Sequence, residues 1–192
     1  MAIKNIVFDF FGVISSEVAP FIFGEVFEEE EAKRLKQEYM EPADHGDITE
    51  REMYESLGRL FGRTPEDMEA DFLRRAVINR DMVALIERLR EKYRVALLSN
   101  AQADYLGKVF NREALHGLFE EKIISGLVRV TKPSPEIFKL LLARMGISAG
   151  EAVFIDDNPK NVEAARSVGL HGIVFKGVDD RTAELARLNV TI

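Results

Sequence analysis

Cysteine is missing from all 192 residues. Its absence rules out disulfides, thiolate nucleophiles and Cys-ligated zinc, and it fits a reducing compartment. Positive charge is outweighed by negative: 26 Lys and Arg against 33 Asp and Glu give a formal net charge of -7. Nonspecific nucleic-acid binding, which needs clustered cations to neutralise backbone phosphates, is therefore not expected. An anionic small molecule would have to be held by a local cationic pocket. Long hydrophobic runs are lacking too. The stretch 6–10, apolar but for Asp9, is far too short for a secretory or membrane segment, so a cytoplasmic protein without membrane contact is expected. No repeat or low-complexity tract is visible, and 46% hydrophobic with 31% charged residues is the composition of a soluble globular protein.

What is present is an alternation. Short apolar, β-branched runs of strand length fall at 5–8, 94–98, 152–155 and 172–175, with a weaker one at 122–125. Helical patterns separate them. Met82, Val83, Ile86 and Leu89 share helical spacing; Ser134 and Pro135 open a helix with Ile137, Phe138, Leu141, Leu142 and Met145 on its apolar face, stopped by Gly146; and a third runs from Pro159 to about Val168, capped by Asn158 and closed by Gly169. Nearly continuous apolar strands between helices predict a parallel sheet covered on both faces, a Rossmann-like α/β fold. The stretch 16–80 breaks this rhythm with helix signals only. Residues 25–39 are charged and helical in pattern, Thr49 with Glu52 makes a capping box, and Thr64 with Pro65 opens another helix. The expected organisation is a core of residues 1–15 and 81–192 with a small all-helical cap, 16–80, inserted after the first strand.

In parallel α/β sheets ligands bind beyond the carboxyl ends of the strands. Asp9 follows the first run, Ser99 and Asn100 follow the second, and Asp156 and Asp157 follow the run 152–155, while Lys132 precedes the Ser134 helix. Each alone reads as a turn former or a solvated charge. Two adjacent carboxylates at the exit of a buried strand, however, repel each other unless a cation or strong donors are near, and a hard divalent ion such as magnesium suits those oxygens. With Asp9 and Lys132 they suggest a site for a metal and a phosphate.

The residues Val7-Phe8-Asp9-Phe10-Phe11-Gly12-Val13, Leu97-Leu98-Ser99-Asn100, Thr131-Lys132-Pro133 and Asp156-Asp157-Asn158-Pro159-Lys160-Asn161 follow one another in the order of the four motifs of the haloacid dehalogenase-like (HAD) hydrolases, which nearly the whole chain resembles. The subgroup most similar in motif wording includes sugar-phosphate phosphatases and the phosphatase half of epoxide hydrolases, and the helical stretch matches that family's cap. The resemblance implies a magnesium-dependent phosphatase acting on a small phosphorylated metabolite through an aspartyl phosphate on Asp9. It implies that Mg2+ is held by Asp9, Asp157, the backbone carbonyl of Phe11 and, through water, Asp156. Lys132 would neutralise the nucleophile and the transferred group. Ser99, Asn100 and the backbone N–H groups around Phe11 and Gly12 would hold phosphate oxygens, and Asn161 would orient Lys132 or the metal shell.

One departure stands out. Phosphatases of this superfamily usually carry a second Asp two positions after the nucleophile, to protonate the leaving group; here that position is Phe11. General acid catalysis is typically worth about 10²–10⁴-fold, so hydrolysis of alkyl phosphates should suffer unless another group helps. His45 and Asp47, in a segment 44–47 that reads as a turn, are candidates. The alternatives are a dehalogenase, whose halide leaves without a proton but which needs neither metal nor acid pair, and a catalytically weak module that binds a phosphorylated ligand.

Overall fold

The computed structural model describes residues 2–177 and 184–191. Strand β1 (Asn5–Phe8) leads into a helical insert: α1 (Ala19–Phe23), α2 (Glu29–Leu35), a π-helical turn (Lys36–Met40), α3 (Glu41–His45), α4 (Glu50–Phe61) and α5 (Pro65–Arg75). Helix α6 (Arg80–Leu89) then precedes β2 (Arg94–Ser99), and α7 (Ala103–Glu113), β3 (Glu121–Ile124), α8 (Ser125–Val128) and α9 (Pro135–Met145) follow. A 3₁₀ turn (Ala149–Glu151) leads into β4 (Ala152–Asp156), and α10 (Pro159–Ser167) and β5 (His171–Val174) follow. All strands pair in parallel, in the order β3-β2-β1-β4-β5.

The sheet is apolar on both faces because its strands are hydrophobic at successive positions and alternate side chains go to opposite sides. Ile6, Phe8, Val95, Leu97, Val153 and Ile155 pack into one cluster with Met82 and Ile86 of α6 and Leu106 and Phe110 of α7. Val7, Ala96, Leu98 and Phe154 face the other, with Ile137, Phe138 and Leu141 of α9 and Ala165 of α10. The caps expected from sequence are formed. Ser134 Oγ and Asn158 Oδ1 accept from Glu136 and Lys160 N–H, and Gly146 (φ 64°) closes α9 in the left-handed region. Helix α7 has no sequence forecast: Gln102 precedes it without a side-chain cap bond and no recognisable stop follows it.

The insert leaves and returns through a short paired link. Ser16 N–H donates to Val77 O (2.9 Å), Asn79 N–H donates to Ile14 O (2.8 Å), and Ser16 Oγ donates to Arg75 O (2.6 Å). The expected capping box of Thr49 with Glu52 forms, and Thr64 makes a second one with Asp67. Val18, Phe23, Met53, Leu57, Met68 and Phe72 of the insert join the same apolar cluster as α6 and α7, so the insert and one face of the sheet share a core. Tyr105 of α7 donates its hydroxyl to Phe72 O (3.1 Å), and Lys108 pairs with the buried Glu50 (3.0 Å).

The expectation for residues 25–39 needs correction. The helix begins only at Glu29 and does not end near Tyr39; it passes through the π-helical turn into α3, with Glu41 N–H reaching back to Lys36 O. Pro42 supplies the reason. It has no N–H to donate and its ring crowds the preceding turn, and a widened turn accommodates both. Asp44 and His45 therefore lie on helix rather than in a turn; the chain reverses only at Gly46, whose φ of 86° is left-handed.

Candidate active site

The carboxyl ends of β1, β2 and β4 open on a cavity of about 630 Å³ whose wall includes Asp9, Phe11, Asn100, Lys132, Asp157 and Asn161 from the sheet side and Lys36, Met40, Asp44, His45 and Phe72 from the insert. Parallel pairing puts Phe8, Leu97 and Ile155 side by side, so that the residues following them emerge together. Carboxylate oxygens of Asp9, Asp156 and Asp157 all lie within 4.8 Å of one another.

Lys132 is the cation among them. Its buried ammonium is 2.6 Å from Asp9 Oδ1 and 2.7 Å from Asp156 Oδ2. Burial alone would depress its pKa, but the two carboxylates overcome that and hold it above the ordinary lysine range. Burial pushes Asp9 well above the usual carboxylate range; Lys132 pulls against this shift and Asp156 adds to it. The two shifts conflict only superficially. A lysine between two carboxylates stays charged, whereas one cation is too few for the acids it faces, and a divalent cation would relieve the excess.

The three acids are not equivalent. Asp156 is spoken for: it accepts from Lys132 Nζ, from Asn158 N–H (2.8 Å) and from Asn161 Nδ2 at both oxygens (3.1 and 3.0 Å). That leaves it little capacity to coordinate a cation directly. Asn161 thus holds Asp156 rather than Lys132. Asp157 is half-buried, receives no side-chain hydrogen bond among the described residues, and is pushed up to about 6 by burial, with Glu17 and Asp156 adding to the shift and Lys132 opposing it. Of the three acids, Asp157 has the most lone pairs left to offer a cation. The backbone makes room for it, because a Cβ at Gly12 would stand 2.2 Å from Asp157 Oδ2.

Two sequence assignments change, those of Gly12 and Asn100. Gly12 donates its N–H to Ser15 O (2.7 Å) and Phe10 donates to Asp9 Oδ1 (2.7 Å), whereas the Phe11 N–H has no acceptor among the described residues and is open to an incoming oxyanion; what the site needs of Gly12 is the missing side chain. Asn100 spends its amide on the backbone of Lys132, donating to its carbonyl (2.9 Å) and accepting from its N–H (2.8 Å), so it positions the lysine loop more than it meets a ligand. Ser99 is fully buried behind the cavity wall, and its Oγ has no hydrogen-bond partner among the described residues. Such an orphan hydroxyl fits a loop that tightens around an oxyanion.

Phe11 is partly buried, its ring stacked on Tyr105 (centroids 6.0 Å apart) and edge-on to Phe10 (5.1 Å). His45 and Asp47 both line the cavity, but their side chains are 41% and 58% exposed, and His45 Nδ1, although 3.0 Å from Asp47 Oδ1, does not meet hydrogen-bond geometry. Sequence reasoning missed Asp44 and Gln102. Gln102 Nε2 donates to Asp44 Oδ1 (2.6 Å), bridging 58 positions of sequence, and no local pattern marks either residue.

Among the described residues no helix is long and apolar enough to cross a membrane. The model of the hydrolase family described as haloacid dehalogenase-like hydrolase matches residues 3–169. The phosphoserine phosphatase of Thermus thermophilus is 30% identical over 142 residues, which is 73% of this chain but only 53% of that protein, so the chain spans about half of that relative's length. The D-ribitol-5-phosphate phosphatase of Bacteroides thetaiotaomicron is 29% identical over 185 residues, 87% of this chain and 89% of that one. A HAD family enzyme from Bacteroides thetaiotaomicron superposes with a TM-score of 0.82 at 27% identity over 96% of this chain and 99% of that one. The same enzyme, in complex with magnesium and inorganic phosphate, superposes with a TM-score of 0.77 at 28% identity over 91% and 95%. The ordered motifs, the parallel sheet and the family match together make this chain a haloacid dehalogenase-like hydrolase.

Proposed function

We propose that the chain is a magnesium-dependent phosphatase that transfers the phosphoryl group of a small metabolite to Asp9 and then to water. The observation that carries this reading is Asp9 at the end of β1, with Lys132 2.6 Å away and the carboxylates of Asp156 and Asp157 within 4.8 Å. A carboxylate approaching a phosphate dianion meets repulsion on the order of 4 kcal/mol per unit pair at about 4 Å and an effective dielectric near 20, so positive charge must be supplied. Lys132 supplies part. The donor set, all oxygen with one lightly bonded acid, fits magnesium, which Asp9, Asp157 and the carbonyl of Phe11 would hold directly and Asp156 through water. When bound, the ion neutralises the phosphate oxygens and brings them to the nucleophile.

This chain's own groups do the rest. Lys132 opposes the protonation of Asp9 that burial favours and faces the transferred group, while the Phe11 N–H and Ser99 receive the remaining oxygens. Asn161 and the Asn158 N–H fix Asp156, and Asn100 fixes the lysine loop. Asp9 attacks phosphorus, the bond to the leaving oxygen breaks, and water then hydrolyses the acyl phosphate. A cavity of about 630 Å³ suits a small metabolite, and the phosphoserine and ribitol-phosphate activities in the names of the relatives support that class. The acid cluster favours this reading over dehalogenation, which has no use for it. The deciding experiment is a panel of sugar phosphates, phosphoserine, an aryl phosphate and a 2-haloacid, with and without magnesium. Magnesium-dependent phosphate release is expected. Metal-independent halide release, or binding without turnover, would establish one of the alternatives.

A further inference from the structure

The reaction as derived lacks a proton donor, and Phe11 cannot be one. In an in-line displacement the leaving oxygen is on the far side of phosphorus from the nucleophile. With Phe11 at the position beside Asp9 where the family carries its acid, a donor on the facing wall, which the insert builds, would meet that oxygen. The acid-capable side chains of the insert on that wall are Glu17, Lys36, Glu41, Asp44, His45 and Asp47.

Among the described residues only Asp44 of these is hydrogen-bonded to the core. Asp44 Oδ1 accepts from Gln102 Nε2 (2.6 Å), and Asp44 O accepts from the hydroxyl of Ser125, which in turn accepts from Ala101 N–H (2.9 Å). The backbones touch as well: a Cβ on Gly46 would stand 2.7 Å from Gly126 O, and one on Gly126 would stand 2.9 Å from Ala101 O. Residues 100–102 therefore reach both ways, Asn100 clamping Lys132 and Gln102 holding Asp44. Asp44 Oδ2 accepts no hydrogen bond among the described residues. Phe11, at the position of the missing acid, lines the same cavity.

We propose that Asp44 is the general acid and base of the phosphatase reaction, in place of the residue that Phe11 supplants. The proposal rests on the phosphatase reading. In the first step an Asp9 oxygen bonds to phosphorus, the bond from phosphorus to the leaving oxygen breaks with its electron pair on oxygen, and that oxygen takes the Asp44 proton. The products are the alcohol, the aspartyl phosphate and the Asp44 carboxylate. In the second step the carboxylate takes a proton from water as the water oxygen bonds to phosphorus; inorganic phosphate departs, and both aspartates return to their starting states.

The surroundings suit both roles. Although its surface is partly accessible from the cavity, Asp44 has enough protein around it that lost solvation carries its pKa up to about 7, with Lys36 opposing and Glu41 and Glu17 adding. His45 and Asp47 flank it on its own segment, whereas α8 and Gln102, packed against it, bring no charge. A group titrating near neutrality is well matched to giving and taking a proton there.

The test is Asp44→Asn, assayed with magnesium on a series from alkyl to 4-nitrophenyl phosphates. The wild type is expected to depend weakly on leaving-group pKa and to lose rate on alkyl esters as pH rises above about 7. The variant should lose about 10²–10³-fold on alkyl esters and far less on 4-nitrophenyl phosphate, and should lack that pH limb. Asp44→Glu should recover part of the loss. Equal effects on all esters, or none, would overturn the proposal. If Asp44→Asn does not fold, the wild type decides, because a steep dependence on leaving-group pKa means that no proton is donated. A wild type inactive on every ester, 4-nitrophenyl phosphate included, defeats the phosphatase reading itself and is distinct from every outcome above.

Discussion

Gly12 and Asp157 approach so closely that a β-carbon on the first would stand 2.2 Å from Oδ2 of the second. Gly12 also has a φ of 75°, where a side chain costs roughly 1–2 kcal/mol. Gly12→Ala should therefore lower the melting temperature by about 2–8 °C and, by displacing Asp157, raise the magnesium needed for half-maximal activity at least tenfold. Differential scanning calorimetry and a magnesium titration check both; a titration like that of the wild type would mean that Asp157 is not a ligand.

Asp9→Asn keeps the shape of the side chain and removes the nucleophile's charge. Turnover should fall below about one part in 10³, while the melting temperature holds or rises, since one of the carboxylates crowded around Lys132 is gone. Phosphate release near the wild-type rate would exclude an aspartyl phosphate. Asp157→Asn should differ in kind, retaining turnover at saturating magnesium but shifting the titration steeply upward.

Asp44 predicts a pH-dependent stability. Its folded pKa of about 7 lies above the unfolded value, so the folded state binds the extra proton and this group's contribution is lost as pH climbs from about 4 through 7. Asparagine has no such proton. The melting temperature of Asp44→Asn should gain on the wild type between pH 5 and pH 8, and an offset independent of pH would show that Asp44 titrates normally.

Phe11 packs on Tyr105 and Phe10. Phe11→Ala should cost about 1–3 kcal/mol, less than a fully buried ring, measurable by urea denaturation. Phe11→Asp should speed alkyl phosphates by less than about tenfold, because the proton already has a source. A hundredfold gain in a folded variant would show that the native site has none.

The parts of the site carried by strand ends were legible in sequence because they are local: an apolar run stops and a polar residue follows, as at Asp9, Ser99 and Asp156. Caps are local too, and those of α4, α5, α9 and α10 formed as read. What the sequence could not show depends on the approach of distant backbone. The hold of Gln102 on Asp44 spans 58 positions and the room that Gly12 leaves for Asp157 spans more, and neither produces a pattern within a window. Helix α7 was missed for want of a capping side chain at Gln102, the same residue whose amide is committed to Asp44. The continuity of α2 with α3 was hidden by Pro42, which reads as a break and is instead absorbed by a wider turn.

That wider turn has a bearing on how this rod diverges among related chains. A π-helical turn contains one residue more than an α-helical turn, and each residue in a helix rotates the next by about 100°. Five residues of a π-helical turn carry the chain about as far around the axis as four of an α-helix, so deleting a single residue between Lys36 and Met40 would let the rod revert to ordinary α-helix with Asp44 facing the same way. The π-helical turn is thus where the rod can lose a residue and keep the same side chain on the cavity wall, whereas a one-residue gap in its α-helical part would exchange one wall residue for another while leaving every strand-end motif untouched.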